Sequence, residues 1–464
     1  MSNICAGNLT SGFVDLASFD EIERFMYGQK DATAYFVRDV RKSTWFTQVP
    51  VVLARSAGSP GFGQDWSVSI SRAGDYLLQT WLRLTTSKVE LKSTNAYGAN
   101  GRIRWCKNFM HNLIRECCIS FNDLVAARFD NYHLDFWAAF TVPAGKRNAY
   151  NNMIGNYDEL TRPHSSTDDA IPASTLNLPL PFFFSRDSGV ALPTAALPYN
   201  EMKINFMFRD WEDLLILDNI AASGSEFRSV PVVGSSNDIA SAPTLSNVQV
   251  WANYAIVSNQ ERKKMGCAPR DILIEQAQTI PRQSFTPSTN PQQSFDIRLS
   301  HAIKVLFFAV RNSTWRGEWS NYTTASPVDN GVVTNTIPSG AADPILQTSL
   351  IYESTNRLAQ MGSDYFSLMN PFFHAPVVPS ETGYHCYSYS LDFFCLDPMA
   401  STNYGKLTNV SIVPEASQTA IDAARGEGSA GSGIDFAQTY QFVLTAVNNN
   451  VIRISGGALG FPIM

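Results

Sequence analysis

The stretch from Leu176 to Phe208, LNLPLPFFFSRDSGVALPTAALPYNEMKINFMF, limits the fold more than any other part of the chain. Prolines at 179, 181, 193 and 198 rule out a continuous helix, because each removes a backbone donor and clashes with the preceding turn. Extended backbone is what remains. Phe182, Phe183 and Phe184 are consecutive, so in a strand they point to both faces and both faces must be covered, which predicts interior sheet. From Met202 the pattern alternates. Met202, Ile204, Phe206 and Phe208 share one face, with Lys203, Asn205 and Arg209 on the other, the period of a half-buried antiparallel strand.

The flanking sequence reads the same way. Ser18 and Glu21 form a capping box before Ile22, Phe25 and Met26, with Gly28 as a stop, so a short helix is expected there. Strands are expected over 34–40, 75–84, 113–121 and 247–257, and Tyr132, Phe136 and Phe140 fall on one side of a helix over 130–140. Then the order restarts. Ser258 and Glu261 repeat the capping box, with Met265 and Gly266 behind them, and strands over 271–278 and 303–310 answer the first two. Phe393, Phe394 and Asp397 answer Phe183, Phe184 and Asp187, Tyr404 answers Tyr199, and Val447 answers Val257. The offset falls from 240 (Ser18 to Ser258) to 190 (Val257 to Val447), as shorter loops in a second copy require.

A chain of 464 residues is too long for one ordinary core. Two many-stranded antiparallel units suit two jelly rolls, each about eight strands in two packed sheets. The predicted fold is therefore all-β, a double jelly roll with short helices in its loops. Its expected parts are an arm with a short helix (1–30), a first jelly roll (31–257), a helical linker (258–269) and a second jelly roll (270–464). Residues 440–448 and 451–455 form either a hairpin around Asn449 and Asn450 or one kinked strand.

Charged residues are 16% of the chain, below the roughly 25% usual for soluble domains, which points to surface buried against other chains. The net charge of -6 offers no basic patch for phosphates, so no direct contact with nucleic acid is expected. No apolar run is long enough to span a membrane, and MSNICAGNLTSGF lacks the features of a secretory signal, so the chain is expected to stay in the cytosol. Seven cysteines without a CxxC pair read as free thiols. Neither His385 beside Cys386 nor the Cys117 and Cys118 doublet has zinc-ligand spacing, and no metal or cofactor is expected.

Catalytic motifs are few. Gly426, Gly428 and Gly431 match GxGxxG, but in a polar Gly/Ser run followed by a strand, which reads as a loop. Six histidines lack a partnered nucleophile, and Asp210, Glu212 and Asp213 beside Trp211 read as a solvated strand end. Arg186 and Asp187 lie between buried Phe184 and a turn, where an internal ion pair or turn-fixing contact is expected. Asn8, Asn312, Asn321 and Asn409 begin N-glycosylation sequons, expected to stay unmodified without a secretory signal.

The central stretch, together with ANGRIRWCKNFMHNLIRECCISFNDLVAARFDNYHLDFW (99–137), GSDYFSLMNP (362–371), STNYGKLTNVSIV (401–413) and NNNVIRISGGALGF (448–461), resembles the major capsid proteins of invertebrate iridescent viruses, within the capsid family of nucleocytoplasmic large DNA viruses. These strings span nearly the whole chain. The resemblance implies a double jelly roll and a structural, non-enzymatic role: a subunit that trimerises into pseudo-hexagonal capsomers of an icosahedral shell around an internal membrane and DNA genome. It further implies assembly in the host cytoplasm and contact with minor capsid proteins, with residues 1–28 at the inner base touching a neighbour or the membrane. Two other classes fit the residues less well. A sugar-binding or sugar-cleaving β protein would use loops rich in Trp and Tyr, and a membrane-surface protein would rest on the helix after Ser18, which lacks a basic face.

Overall fold

The computed structural model describes residues 2–28, 30–167, 170–220, 229–231, 238–314, 316–324, 328–329, 332–333, 342–426 and 437–462, and of 2–6, 229–231, 328–329 and 332–333 the backbone alone. The chain divides into two units, 1–45 and 46–464. The first holds helices α1 (Ser2–Ala17) and α2 (Glu21–Met26). Asp20, not Ser18, caps α2, its carboxylate accepting from the Glu21 amide at 2.8 Å, while the Ser18 hydroxyl donates back to the Asp15 carbonyl. The strand expected over 34–40 is absent: residues 31–45 form only turns and bends, because Tyr35, Phe36, Val37 and Val40 meet no partner strand and stay exposed.

Among the described residues, the second unit carries sixteen principal strands in two sets of eight. The first set is β1 (Phe46–Val52), β2 (Asp65–Ser69), β3 (Tyr76–Thr86), β4 (Ile114–Phe121), β5 (Leu124–Phe129), β6 (Thr175–Pro179), β7 (Met202–Phe208) and β8 (Leu245–Val257). The second is β9 (Arg270–Thr279), β10 (Phe295–Asp296), β11 (Ala302–Asn312), β12 (Ile345–Tyr352), β13 (Thr355–Gly362), β14 (His385–Ser388), β15 (Val410–Ala416) and β16 (Tyr440–Ser455). The sheets of the first set run β1-β8-β3-β6 and β2-β7-β4-β5. Those of the second run β9-β16-β11-β14 and β10-β15-β12-β13, so every strand recurs eight later with the same neighbours. Each set is an antiparallel sandwich of jelly-roll order.

Alternation sets the faces. On β7, Met202, Ile204, Phe206 and Phe208 are buried against Trp66, Val68 and Ile119, while Lys203 and Asn205 are half-exposed. β11 differs, because every residue from Ile303 to Asn312 is buried. Its Leu306, Phe308 and Val310 enter the second sandwich's own core, and Val305, Phe307 and Ala309 enter a core shared with the first sandwich. Helix α3 (Asn131–Thr141), between β5 and β6, fills that shared core, and helix α4 (Asn259–Cys267) links β8 to β9. Ser258 stands at the head of α4 without a side-chain cap.

Two further expectations need correction. Phe182 to Phe184 are buried but not in a strand: after Pro181 the chain takes a 3-10 turn, Phe183–Ser185, which spreads the side chains in several directions and covers each without sheet neighbours. Tyr199 lies three residues before β7 and Tyr404 six before β15, the corresponding strand, so those two do not hold equivalent positions. Residues 440–455 form one strand, with Asn449 and Asn450 paired to Glu275 and Ile274 of β9. No described helix is long and apolar enough to cross a membrane.

Candidate functional site: the seam between the two sandwiches

The β5–β6 connection opens with Asp130, whose carboxylate accepts from the His133 amide at 3.0 Å and starts α3 as an N-cap. All but one of the residues in α3 are buried. Phe136 and Phe140, one helical turn apart, stack on Phe307 of β11 with ring centroids 6.2 and 5.3 Å away, and Trp137 meets Phe393 and Phe394.

Polar contacts lock the same seam. Asp135 accepts from Ser320 Oγ at 2.7 Å and Tyr322 Oη at 3.0 Å on the second sandwich's side, and is bonded to His111 Nδ1 at 2.6 Å on the first. His111 Nε2 lies 2.6 Å from the Tyr150 hydroxyl. Arg186 reaches Glu275 of β9, donates to the Phe394 carbonyl and lies 4.8 Å over both Trp137 and Phe394. Glu275 is shared with Lys304, which is fully buried and also donates to the Cys395 carbonyl at 2.7 Å. Arg104 joins Asp218 at 2.7 Å and Glu318, and these opposite charges hold its guanidinium protonated against the cost of burial. Arg209 and Arg311 sandwich Trp319 at 3.6 and 4.1 Å, and burial pushes Arg209 down to about 10. A cavity of about 30 Å³ lies among Trp137, Phe183, Arg186 and Glu275, and burial pushes neighbouring His133 down to about 4.

This arrangement is mechanical. Buried charges meet partners from the other sandwich, and breaking one such pair leaves an uncompensated charge, so the seam favours a single relative placement of the two sandwiches. Among the described residues no group of three or more His, Cys, Asp or Glu is placed to hold a metal.

The residues singled out in the sequence distribute unevenly. Arg186 makes the internal ion pair, and Asp187 caps the turn over 188–190 by accepting from the Gly189 amide. Asp213 pairs with Arg316 beside the buried Trp211. Gly426 is the left-handed C-cap of the helix Gln418–Arg425, and Gly428 and Gly431 lie outside the described residues. Asn8 and Asn409 are exposed. Asn312 and Asn321 come together through a backbone bond of 2.9 Å, and both are buried. Asn312 Nδ2 donates to the Thr323 carbonyl and Gln438 Oε1, and Asn321 Oδ1 accepts from Thr323. His385 stacks on Phe308 in the core and Cys386 faces the seam. Asp135, Glu275 and Lys304 were not anticipated. The lysine inside the apolar run Ile303–Val310 was the one available signal, since it demands a buried anion.

Two eight-stranded sandwiches of identical strand order, fused through an apolar and ion-paired seam, define a double jelly roll protein built as a rigid structural block. The family described as large eukaryotic DNA virus major capsid protein matches residues 261–460, and the major capsid protein N-terminus matches 34–257. The major capsid proteins of Costelytra zealandica iridescent virus and Invertebrate iridescent virus 6 are each 65% identical, with both chains covered in full, and that of Lymphocystis disease virus 1 is 48% identical over the whole of both chains. The solved PBCV-1 virus capsid has a TM-score of 0.70 at 20% identity over 93% of this chain and 100% of that one. The Faustovirus major capsid protein has 0.67 at 11% identity, covering 98% and 99%. The chain belongs to the major capsid protein family of the iridescent viruses and their large DNA virus relatives. It is a structural protein of the virion shell, not an enzyme.

Proposed function

We propose that three copies of this chain close into one pseudo-hexagonal capsomer, and that capsomers tile an icosahedral shell around an internal membrane and the DNA genome. The recurrence of one strand order carries the reading: two like sandwiches per chain, repeated by a three-fold axis, give six like wedges around a ring. A heterologous contact that repeats and closes yields cyclic symmetry, and an obligate contact buries on the order of 2,000 Å² or more. The working parts are the arm, a first jelly roll ending at Val257, the linker through α4 and a second jelly roll from Arg270. The exposed apolar residues of the arm, among them Phe13, Ile22 and Phe25, favour contact with a neighbouring subunit, a minor capsid protein or the internal membrane. Assembly belongs to the host cytoplasm, where the four sequons stay unmodified.

Sedimentation or multi-angle scattering of the full chain should give a trimer stable on dilution. A persistent monomer that binds polysaccharide would overturn this reading in favour of a sugar-binding protein. A chain truncated to begin near Asp31 should fold normally but assemble poorly; normal particle yield from it would remove the arm from the scheme.

A further inference from the structure

We infer that the helical segment after β13 docks on the outer face of the β1-β8-β3-β6 sheet of a second copy of this chain, repeating between chains the contact that α3 makes within one. The inference rests on the closed ring proposed above and names the surfaces that close it.

Inside the chain, the helix after β5 lies on the outer face of the equivalent sheet of the second sandwich. Phe136 and Phe140 cover Phe307, which pairs across the sheet with Thr445 and Cys386. The helix that holds the same place after β13 is a π turn, Tyr365–Met369, running into α5 (Asn370–His374). Phe366 anchors it in its own core and Asn370 accepts from the Ser388 amide, which fixes the direction of the outer side chains. Leu368, Met369, Phe372 and Phe373 then point away, 54, 49, 70 and 66% exposed, and Leu391 beside them is 71% exposed. Leu368 and Phe372 are four residues apart, the spacing of Phe136 and Phe140.

The matching acceptor is only partly covered. On the outer face of the first sandwich, Val52, Trp251, Trp81 and Pro179 are paired in one row across β1, β8, β3 and β6. Trp81 and Trp251 stack with centroids 6.2 Å apart and are only half-buried, whereas Phe307, on the corresponding strand and face of the second sandwich, is fully buried under α3. Among the described residues, one chain thus offers an outer helix face that meets no sheet and an outer sheet face that no helix covers. A second copy supplies each, and six such contacts, three within chains and three between them, close the ring.

The full chain carrying Phe372→Glu, and separately Trp251→Glu, should show self-association weakened about 100-fold or more, as loss of a central aromatic anchor does, with the wild-type circular dichroism spectrum. Phe372→Glu combined with Trp251→Lys should recover association. A photo-crosslinker at position 372 in otherwise wild-type chain should capture peptides containing Trp81 or Trp251 of another copy, a readout that needs no destabilised variant. Trimers that survive both single substitutions, or crosslinks that map elsewhere, overturn this contact and leave the trimer standing. A wild-type chain that stays monomeric overturns the ring and the contact together.

Discussion

Arg186, in the β6–β7 connection of the first sandwich, forms an ion pair with Glu275 on β9 of the second, and the same carboxylate receives Lys304 from β11. One anion therefore serves two cations, all three largely buried. Glu275→Leu should leave both cations uncompensated and lower the stability of the chain by about 3–5 kcal/mol, the range for a broken buried pair. Urea denaturation followed by tryptophan fluorescence would measure it. A midpoint within error of wild type would mean that the pair contributes nothing to the seam.

Asp130 and His133 share the first turn of α3 and titrate in opposite senses. Burial pushes His133 down to about 4, below the 6.5 of a free imidazole, so its contribution is lost as pH falls from 6.5 toward 4. Burial pushes Asp130 up to about 6 from 3.8, so its penalty exists above pH 6 and is relieved as pH falls through that value. The two trends oppose each other over one window. Asp130→Asn keeps a capping oxygen and removes the relief, so it should lose on the order of 2 kcal/mol more than wild type between pH 7 and pH 4.5. Urea midpoints measured across that range test this; parallel profiles for the two proteins would contradict it.

How far the seam was legible in the sequence depends on the distance over which its signals act. Alternation on β7 and the spacing of Tyr132, Phe136 and Phe140 are local, and both elements were readable. The strand expected over 34–40 failed because an apolar pattern says nothing about whether a partner strand exists. Phe182 to Phe184 gave the burial correctly and the backbone wrongly, since a 3-10 turn can bury three consecutive rings as well as a strand does. Asp135 and Ser320, or Arg186 and Glu275, lie far apart in the chain, and no spacing rule connects them.

Gly383 adopts φ +99, and a Cβ there would lie 2.2 Å from the Tyr322 carbonyl oxygen. Neither the backbone nor the seam can accommodate it. Gly383→Ala should cost more than about 1 kcal/mol, beyond the entropy it would otherwise gain. It should also loosen the loop bearing Tyr322, whose hydroxyl holds Asp135, which amide hydrogen exchange near Tyr322 would register as faster exchange. Unchanged exchange there would show that the close approach is relaxed at no cost.

The cysteines with described side chains, Cys106, Cys117, Cys118, Cys267, Cys386 and Cys395, are free thiols that differ in access. Cys267 is exposed at the end of α4, Cys118 and Cys395 are half-buried, and Cys106, Cys117 and Cys386 are buried with their thiols pushed up by desolvation. The thiolate is the reactive form, so burial slows reaction twice, by blocking approach and by raising the pKa. A maleimide added to native protein should label Cys267 first, Cys118 and Cys395 more slowly, and the three buried thiols only after denaturant is added. Mass mapping over time reads the order. Labelling of Cys386 at the rate of Cys267 would mean that the seam opens without global unfolding, which the ion pairs and aromatic packing around α3 should prevent.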